Sequence, residues 1–251
     1  LELADESSMV VVVDTNRPGM TECEELLHVA KTIVVLDHHR QSSDNIDNAL
    51  LSYIEPYASS ACEMVSEVLQ YIVDDIKIPN LEASSLYAGI MIDTNNFMNK
   101  TGVRTFEAAA FLRRSGADIT LVRKMFRDDM ESYRAKAQII SSAEVYHNKY
   151  AIARGENLTI ESPTIIGAQA ANELLDINEV KASFVLTTYN GRIYVSARSI
   201  DEVNVQIIME RLGGGGHLNA SGAQFDHTDM DEAVADLKQV IDDVIEGGEI
   251  E

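Results

Sequence analysis

Residues 33–39 read Ile33-Val34-Val35-Leu36-Asp37-His38-His39. An apolar run ends in an acid and two adjacent histidines. Residues 9–14, Met9-Val10-Val11-Val12-Val13-Asp14, repeat the design. Short β-branched runs of this kind suit strands buried on both faces, as parallel strands are. Each strand delivers a carboxylate or an imidazole at its C-terminal tip. Ligand crevices of open α/β sheets lie along those carboxyl ends. The pattern therefore predicts an α/β sheet with a metal site on that edge. Oxygen and imidazole donors together favour Mn, Fe or Zn over Ca.

The flanking sequence fills in the sheet. A crossover helix is expected over 21–30, where Thr21 followed by Glu24 spells a capping box and Pro18-Gly19 makes the turn before it. A polar loop covers 41–48, and Leu51–Ile54 reads as a third strand. Residues 59–73 carry Ala61, Val65, Val68, Leu69 and Ile72 on a helical period. Residues 82–92 read as a second, very apolar helix that ends at Asp93. Helices are expected over 105–115, 118–126 and 130–146, the last a long amphipathic one suited to connecting two domains. From Tyr150 the pattern turns to strands at 150–154, Ala182–Tyr189 and Arg192–Ser199. Asn190-Gly191 is a hairpin turn between the last two. The expected fold class is α/β. A mostly parallel sheet flanked by helices covers 1–118, a helical connector 119–147, and a smaller α+β domain 148–251.

Bulk composition narrows the partners. The 251 residues carry 41 acids against 20 Lys and Arg, for a net charge of −21. That balance argues against broad binding to a nucleic-acid backbone, which needs clustered cations. A small phosphorylated ligand stays open, because divalent metals and a few placed cations invert the local field. Cys23 and Cys62 are too few for a disulfide framework and read as small buried thiols in a reducing compartment. No apolar run approaches the ~18 residues of a membrane span. The acidic start lacks the basic region of a signal peptide. A cytoplasmic setting is expected for this segment.

Several residues could carry chemistry. The two oxygens of Asp14 can bridge two metal ions. A strand-end histidine can ligate through one ring nitrogen while a carboxylate fixes the other. Successive side chains on an extended backbone point apart, so one histidine is expected to ligate and the other to face substrate. Asp93 follows Ile90-Met91-Ile92, where an acid is costly to bury unless paired or metal-bound. A helix C-terminus repels negative charge, so a cation is expected nearby. Gly213-Gly214-Gly215-Gly216-His217 lets backbone N–H groups approach an anion, and His217 can add a hydrogen bond. Arg198, in Ser196-Ala197-Arg198-Ser199, ends a neighbouring strand and offers a cation to the same phosphate. Arg17, Arg40 and Arg104 lie close in sequence to the candidate ligands and are candidate clamps on a phosphoester. Each feature also has a plain structural reading: exposed loop histidines, a helix-end acid, a linker, surface arginines.

Taken in order, Asp14, Asp37-His38-His39, Asp93 and the glycine run ending at His217 resemble the DHH phosphoesterase superfamily with its DHHA1 C-terminal domain. Within it the words Asp14-Thr15-Asn16-Arg17-Pro18, Ile92-Asp93-Thr94-Asn95-Asn96-Phe97 and Leu212-Gly213-Gly214-Gly215-Gly216-His217 resemble the GdpP/YybT-like cyclic di-AMP phosphodiesterases. The resemblance implies a site for two Mn2+, with Mg2+ or another divalent ion as substitute. Asp14 would bridge both metals, and His38 and Asp93 would ligate the second. His39 would face the scissile phosphate, which makes His39 and Asp37 the catalytic candidates. Arg104, Arg198, Gly214, Gly215, Gly216 and His217 are the substrate-binding candidates, the last five from the second domain, with the crevice between domains selecting substrate length. The implied reaction is hydrolysis of cyclic di-AMP to linear pApA by water activated between two metals. The metals and His39 would offset charge growing on the phosphoryl oxygens. A nanoRNase or 3′-phosphoadenosine phosphatase stays open, as does a nucleotide-binding module without turnover. The implied partners are cyclic and linear dinucleotides, with no long nucleic acid and no membrane contact by this segment. A homodimer stays open. The family's opening His-x-x-x-Asp-x-Asp strand does not occur in the thirteen residues before Asp14. The sequence thus reads as the C-terminal part of a longer catalytic region. The resemblance implies a membrane-anchored parent with sensory domains upstream.

Overall fold

Both apolar runs form strands, and they pair. In the computed structural model, β1 (Met9–Val13), β2 (Thr32–Asp37) and β3 (Leu51–Ile54) make a parallel sheet in the order β1-β2-β3. The register sets Val13 opposite Leu36 and Asp37 opposite Ile54. The carboxyl ends therefore align, which brings Asp14, the residue after β1, beside the histidine pair after β2. One face of the sheet buries Val12, Ile33 and Val35 against Leu27 and Ile46. The structure describes residues 4–41, 43–72, 75–200, 203–226 and 229–250, in two compact units, Leu1–Arg127 and Asp128–Glu251.

The first crossover is shorter than the sequence suggests. Only α1 (Leu26–Val29) is helical there, after a 3-10 turn over Pro18–Met20. The capping box is absent because the Thr21 hydroxyl donates to the Pro18 carbonyl at 2.6 Å and closes that turn. A Thr side chain that bonds back to the local backbone competes with its use as a cap. The rest of the unit is helical: α2 (Ala61–Ile72), α3 (Asn80–Asp93), α4 (Val103–Arg114) and α5 (Ile119–Met125). Ala83 and Ile90 of α3, Ala108 and Leu112 of α4, and Ala117 form a core against which Cys62 of α2 packs. Asp118 caps α5, accepting from the Thr120 and Leu121 N–H groups at 2.8 and 3.3 Å.

The second unit begins with α6 (Met130–Ser141). The helix expected over 130–146 stops at Ser141, and β4 (Glu144–Tyr146) comes next. The Ser141 and Ser142 hydroxyls bond back to the Gln138 and Ile139 carbonyls at 2.8 and 2.7 Å, and the Ser142 hydroxyl also reaches the Arg154 carbonyl. Serine competes with helix propagation in this way. Helix α6 is not free-standing: Ala135 and Ile139 pack into a core with Ile166, Ala170 and Leu174. Then come β5 (Tyr150–Gly155), α7 (Pro163–Leu174), β6 (Ala182–Tyr189), β7 (Arg192–Ser199), α8 (Val205–Arg211), β8 (Gly215–His217), β9 (Ala220–Phe225) and α9 (Met230–Glu246). The sheet order is β4-β5-β6-β7-β9-β8, with only the β5–β6 pair parallel. Asn190 and Gly191 turn the β6–β7 hairpin at φ 49° and 72°, as a type I′ turn requires. One face buries Phe184, Leu186, Val195 and Ile208 with Leu237 and Ile241 of α9. Among the described residues no helix is long and apolar enough to cross a membrane.

Candidate functional site

The aligned strand ends gather the acids and histidines. Asp14 leaves β1 with its N–H donating to the Leu36 carbonyl at 3.0 Å, and its φ of 65° turns the chain off the sheet. Aspartate tolerates that left-handed conformation better than most residues. His38, with a side chain only 10% exposed, points Nε2 at Asp14 Oδ1, 3.3 Å away. The same Nε2 lies 3.8 Å from Oδ2 of Asp93, the last residue of α3. One ligand atom each from Asp14, His38 and His39 can be chosen so that all lie within 4.8 Å of one another. The two histidine rings do not diverge as an extended backbone would dictate. Their centroids are 4.5 Å apart, because β2 ends at Asp37 and the chain bends there.

Asp37 is fully buried and serves His39. Its Oδ1 accepts from the His39 N–H at 3.1 Å and contacts His39 Nδ1 at 2.8 Å. The contact fixes the His39 ring through Nδ1, so that its other nitrogen, Nε2, is not engaged by Asp37. The other oxygen of Asp37 accepts from Asn16 Nδ2 at 2.5 Å. Asn16 is the member of this hydrogen-bonded group that sequence reasoning missed. It sits two positions past Asp14, and its own Oδ1 is buried without a partner among the described residues.

The electrostatics fit a cation. Burial pushes the Asp93 carboxyl up, the His38 ring pulls it back, and the Asp14 carboxylate raises it further. Burial, with the charges of Asp93 and Asp14 behind it, pushes the Cys62 thiol up to about 11. Protonated thiols are poor metal ligands, so oxygen and imidazole donors remain. Two carboxylates and a largely enclosed imidazole suit a divalent ion such as Mn2+. Arg104 is not part of this group. Its Nε and Nη2 donate to the two carboxylate oxygens of Glu67, both at 2.7 Å, and that pairing raises its pKa further. Arg17 and Arg40 are exposed.

In the second unit the glycine run is a helix cap and an edge strand. The Gly213 N–H donates to the Glu210 carbonyl at 3.0 Å and the Gly214 N–H to the Met209 carbonyl at 2.8 Å. With Gly213 at φ 78°, this is a Schellman cap on α8. The Gly214 N–H is thus committed to the helix and not to an anion. Gly215, Gly216 and His217 then pair with Gly222, Ser221 and Ala220. A Cβ on Gly214 would come within 2.6 Å of Ala223 Cα, whereas one on Gly215 would meet nothing within 4 Å. Gly214→Ala is therefore expected to destabilise the fold by about 1–3 kcal/mol. Gly215→Ala should stay within about 0.5 kcal/mol of the parent. Urea unfolding of the two variants checks this; equal losses would remove the packing explanation.

The register puts Arg198, Ala220 and His217 in one row across β7, β9 and β8. Their side chains share a face, since alternation sends neighbours to the opposite side. The same row reaches Ser183 of β6, whose hydroxyl donates to the Ala171 carbonyl of α7 at 2.6 Å. Helix α7 thus covers this face near β6. Toward the β8 edge the row carries the small Ala220 between Arg198 and the exposed His217. Arg198 Nη1 donates to the Ala197 carbonyl at 2.8 Å, and burial lowers its pKa. No described carboxylate lies within salt-bridge distance of it. A half-buried guanidinium without an acid is a cation that an anionic ligand can complete.

Comparison with known proteins agrees with this division. Residues 2–90 match the family model described as the DHH family, N-terminal domain, and residues 156–246 match the DHHA1 domain. The chain is 45% identical over 249 residues to the cyclic-di-AMP phosphodiesterase GdpP of Geobacillus thermodenitrificans. That match covers 99% of this chain and 38% of the relative, so the chain spans under two fifths of its length. It is 31% identical over 227 residues to the bifunctional oligoribonuclease and PAP phosphatase NrnA of Mycoplasma genitalium, covering 86% of this chain and 68% of that protein. A crystal structure of an exopolyphosphatase-related protein from Bacteroides fragilis has the same fold. It superposes with a TM-score of 0.80 at 23% identity, over 94% of this chain and 71% of that one.

Proposed function

The chain belongs to the DHH family, with a DHHA1 domain in its second unit, and on that premise we propose that it is part of a phosphodiesterase that hydrolyses cyclic di-AMP to linear pApA. The observation that carries the reading is the 45% identity to a cyclic-di-AMP phosphodiesterase, which runs through both units. The donor set of Asp14, His38 and Asp93 supports it. These three residues would hold divalent metal, two Mn2+ in our reading. When bound, such ions lower the pKa of water and neutralise phosphoryl charge.

The chain's own residues supply the rest. His39, held by Asp37 through Nδ1, presents Nε2 to the phosphate. Arg198 and His217 grip a phosphate on the open face of the second sheet. Water adds to phosphorus and the P–O3′ bond breaks, and a proton passes to the departing oxygen. The products are a 5′-phosphate and a free 3′-hydroxyl, as in pApA.

This segment by itself is expected to cleave little, since it spans under two fifths of the relative and lacks the family's opening His-x-x-x-Asp-x-Asp motif. The test is therefore product analysis of the full-length protein with Mn2+ and cyclic di-AMP. pApA should be the first product, and chelation should abolish its release. The relationship to NrnA supports a second reading, as an oligoribonuclease and 3′-phosphoadenosine phosphatase. Faster turnover of linear dinucleotides or of 3′-phosphoadenosine 5′-phosphate would establish that reading and overturn ours. Binding without turnover would make the protein a nucleotide-binding module.

A further inference from the structure

The residues around the metal centre leave the ground beside it without a role. A cleft of about 670 Å³ there is lined by Tyr57, Phe97, Met98, Lys100, Thr101 and Phe106 among others. It lies on the same sheet edge. Tyr57 comes three residues after β3, and Ile54 at the end of that strand pairs with Asp37. Phe97 comes four residues after Asp93, and Lys100 is near enough for its charge to act on that carboxyl.

These side chains are placed at some cost. Tyr57 is 93% exposed, Met98 77% and Phe106 57%. The rings of Phe97 and Phe106 stack with centroids 5.8 Å apart and planes 18° from parallel, and Tyr87 meets Phe97 edge-on. Asn95, Asn96 and Phe97 run consecutively through the left-handed region, at φ 46°, 58° and 65°. That region is tolerable for asparagine but an outlier for a bulky residue. Thr94 clamps the turn: its hydroxyl accepts from the Phe97 N–H at 3.0 Å and donates to the Ile90 carbonyl at 2.7 Å. A strained turn thus holds one ring of an aromatic group that opens to solvent. Strain of this kind clusters at ligand clamps. Aromatic walls with a few polar groups suit a flat heterocycle, and exposed apolar patches mark binding surfaces.

We propose that this cleft is a nucleobase subsite, in which the ring faces of Tyr57 and Phe106 stack on one base of the substrate while the adjoining centre holds its phosphate. The proposal rests on the phosphodiesterase reading above and extends it by assigning a place to a base. The Lys100 ammonium and the Thr101 hydroxyl supply donors at the rim.

The test measures binding, by calorimetry in Mn2+ buffer, of AMP and ribose 5-phosphate, which differ only by the base. Tyr57→Ala and Phe106→Ala are each expected to weaken AMP about tenfold, within the range of base–aromatic stacking. The preference for AMP over ribose 5-phosphate should shrink with it, and Tyr57→Trp should restore it. Equal weakening of both ligands would make the residues structural and overturn the proposal. Unchanged AMP affinity would also overturn it and leave the patch to a protein surface. If the parent binds AMP through these rings yet leaves cyclic di-AMP intact, the phosphodiesterase reading fails and the subsite stands.

Discussion

Asp14→Ala is expected to lower phosphodiester hydrolysis by about a thousandfold or more, because metal stabilisation of a phosphoryl transition state amounts to several kcal/mol. Calorimetry with Mn2+ should show the matching loss of cation affinity. Two effects must be separated. Asp14 sits at φ 65°, and alanine there adds backbone strain of about 1–2 kcal/mol. Asparagine accepts the left-handed conformation, so Asp14→Asn removes the charge and keeps the turn. Both variants should lose activity to a similar degree. If Asp14→Asn kept full turnover, the carboxylate would have no role in holding metal. If only the alanine variant failed, the turn and not the ligand would be what matters.

The candidate site is legible in sequence where its information is local. A β-branched run ending in Asp14, and another ending in Asp37-His38-His39, specify strand, direction and tip together. Parallel pairing then aligns the tips, and the acid at the end of α3 joins them. The hidden part depends on partners distant in sequence. Nothing near Arg104 announces that Glu67, 37 positions earlier, takes both arms of its guanidinium. Asn16 looks like any turn residue until Asp37 is folded against it. The Thr21 capping box fails because the same hydroxyl has a nearer acceptor in Pro18. The helix expected over 130–146 ends early because a serine pair and a strand pattern overlap its last turn. The glycine run illustrates the limit most clearly. Its composition permits an anion loop, a cap or a close strand crossing, and only the positions of Met209, Glu210 and Ala223 show that Gly213 and Gly214 serve the last two.

Arg198→Met should weaken binding of pApA by about 10–100-fold, the loss expected when charge-assisted hydrogen bonds to an anion are removed. KM should carry most of the effect, since in the proposed reading the residue contacts substrate and supplies no metal ligand. The stability of the protein should move the opposite way. Arg198 is partly buried, bonds among the described residues only to the neighbouring Ala197 carbonyl, and has its pKa lowered by burial. Replacing a cation that has no acid partner among the described residues with an unbranched apolar chain of similar reach removes a desolvation cost. Thermal unfolding without ligand should therefore occur at a higher temperature in the variant. Saturating pApA should stabilise the parent more than the variant, because ligand that binds only the native state adds stability in proportion to its affinity. A residue that merely supported the sheet would give the reverse pattern: a lower Tm with ligand affinity intact. That outcome would place the phosphate grip elsewhere on the face shared with His217. A rise in Tm together with weakened binding would mean that Arg198 is kept for the ligand, at the expense of the fold.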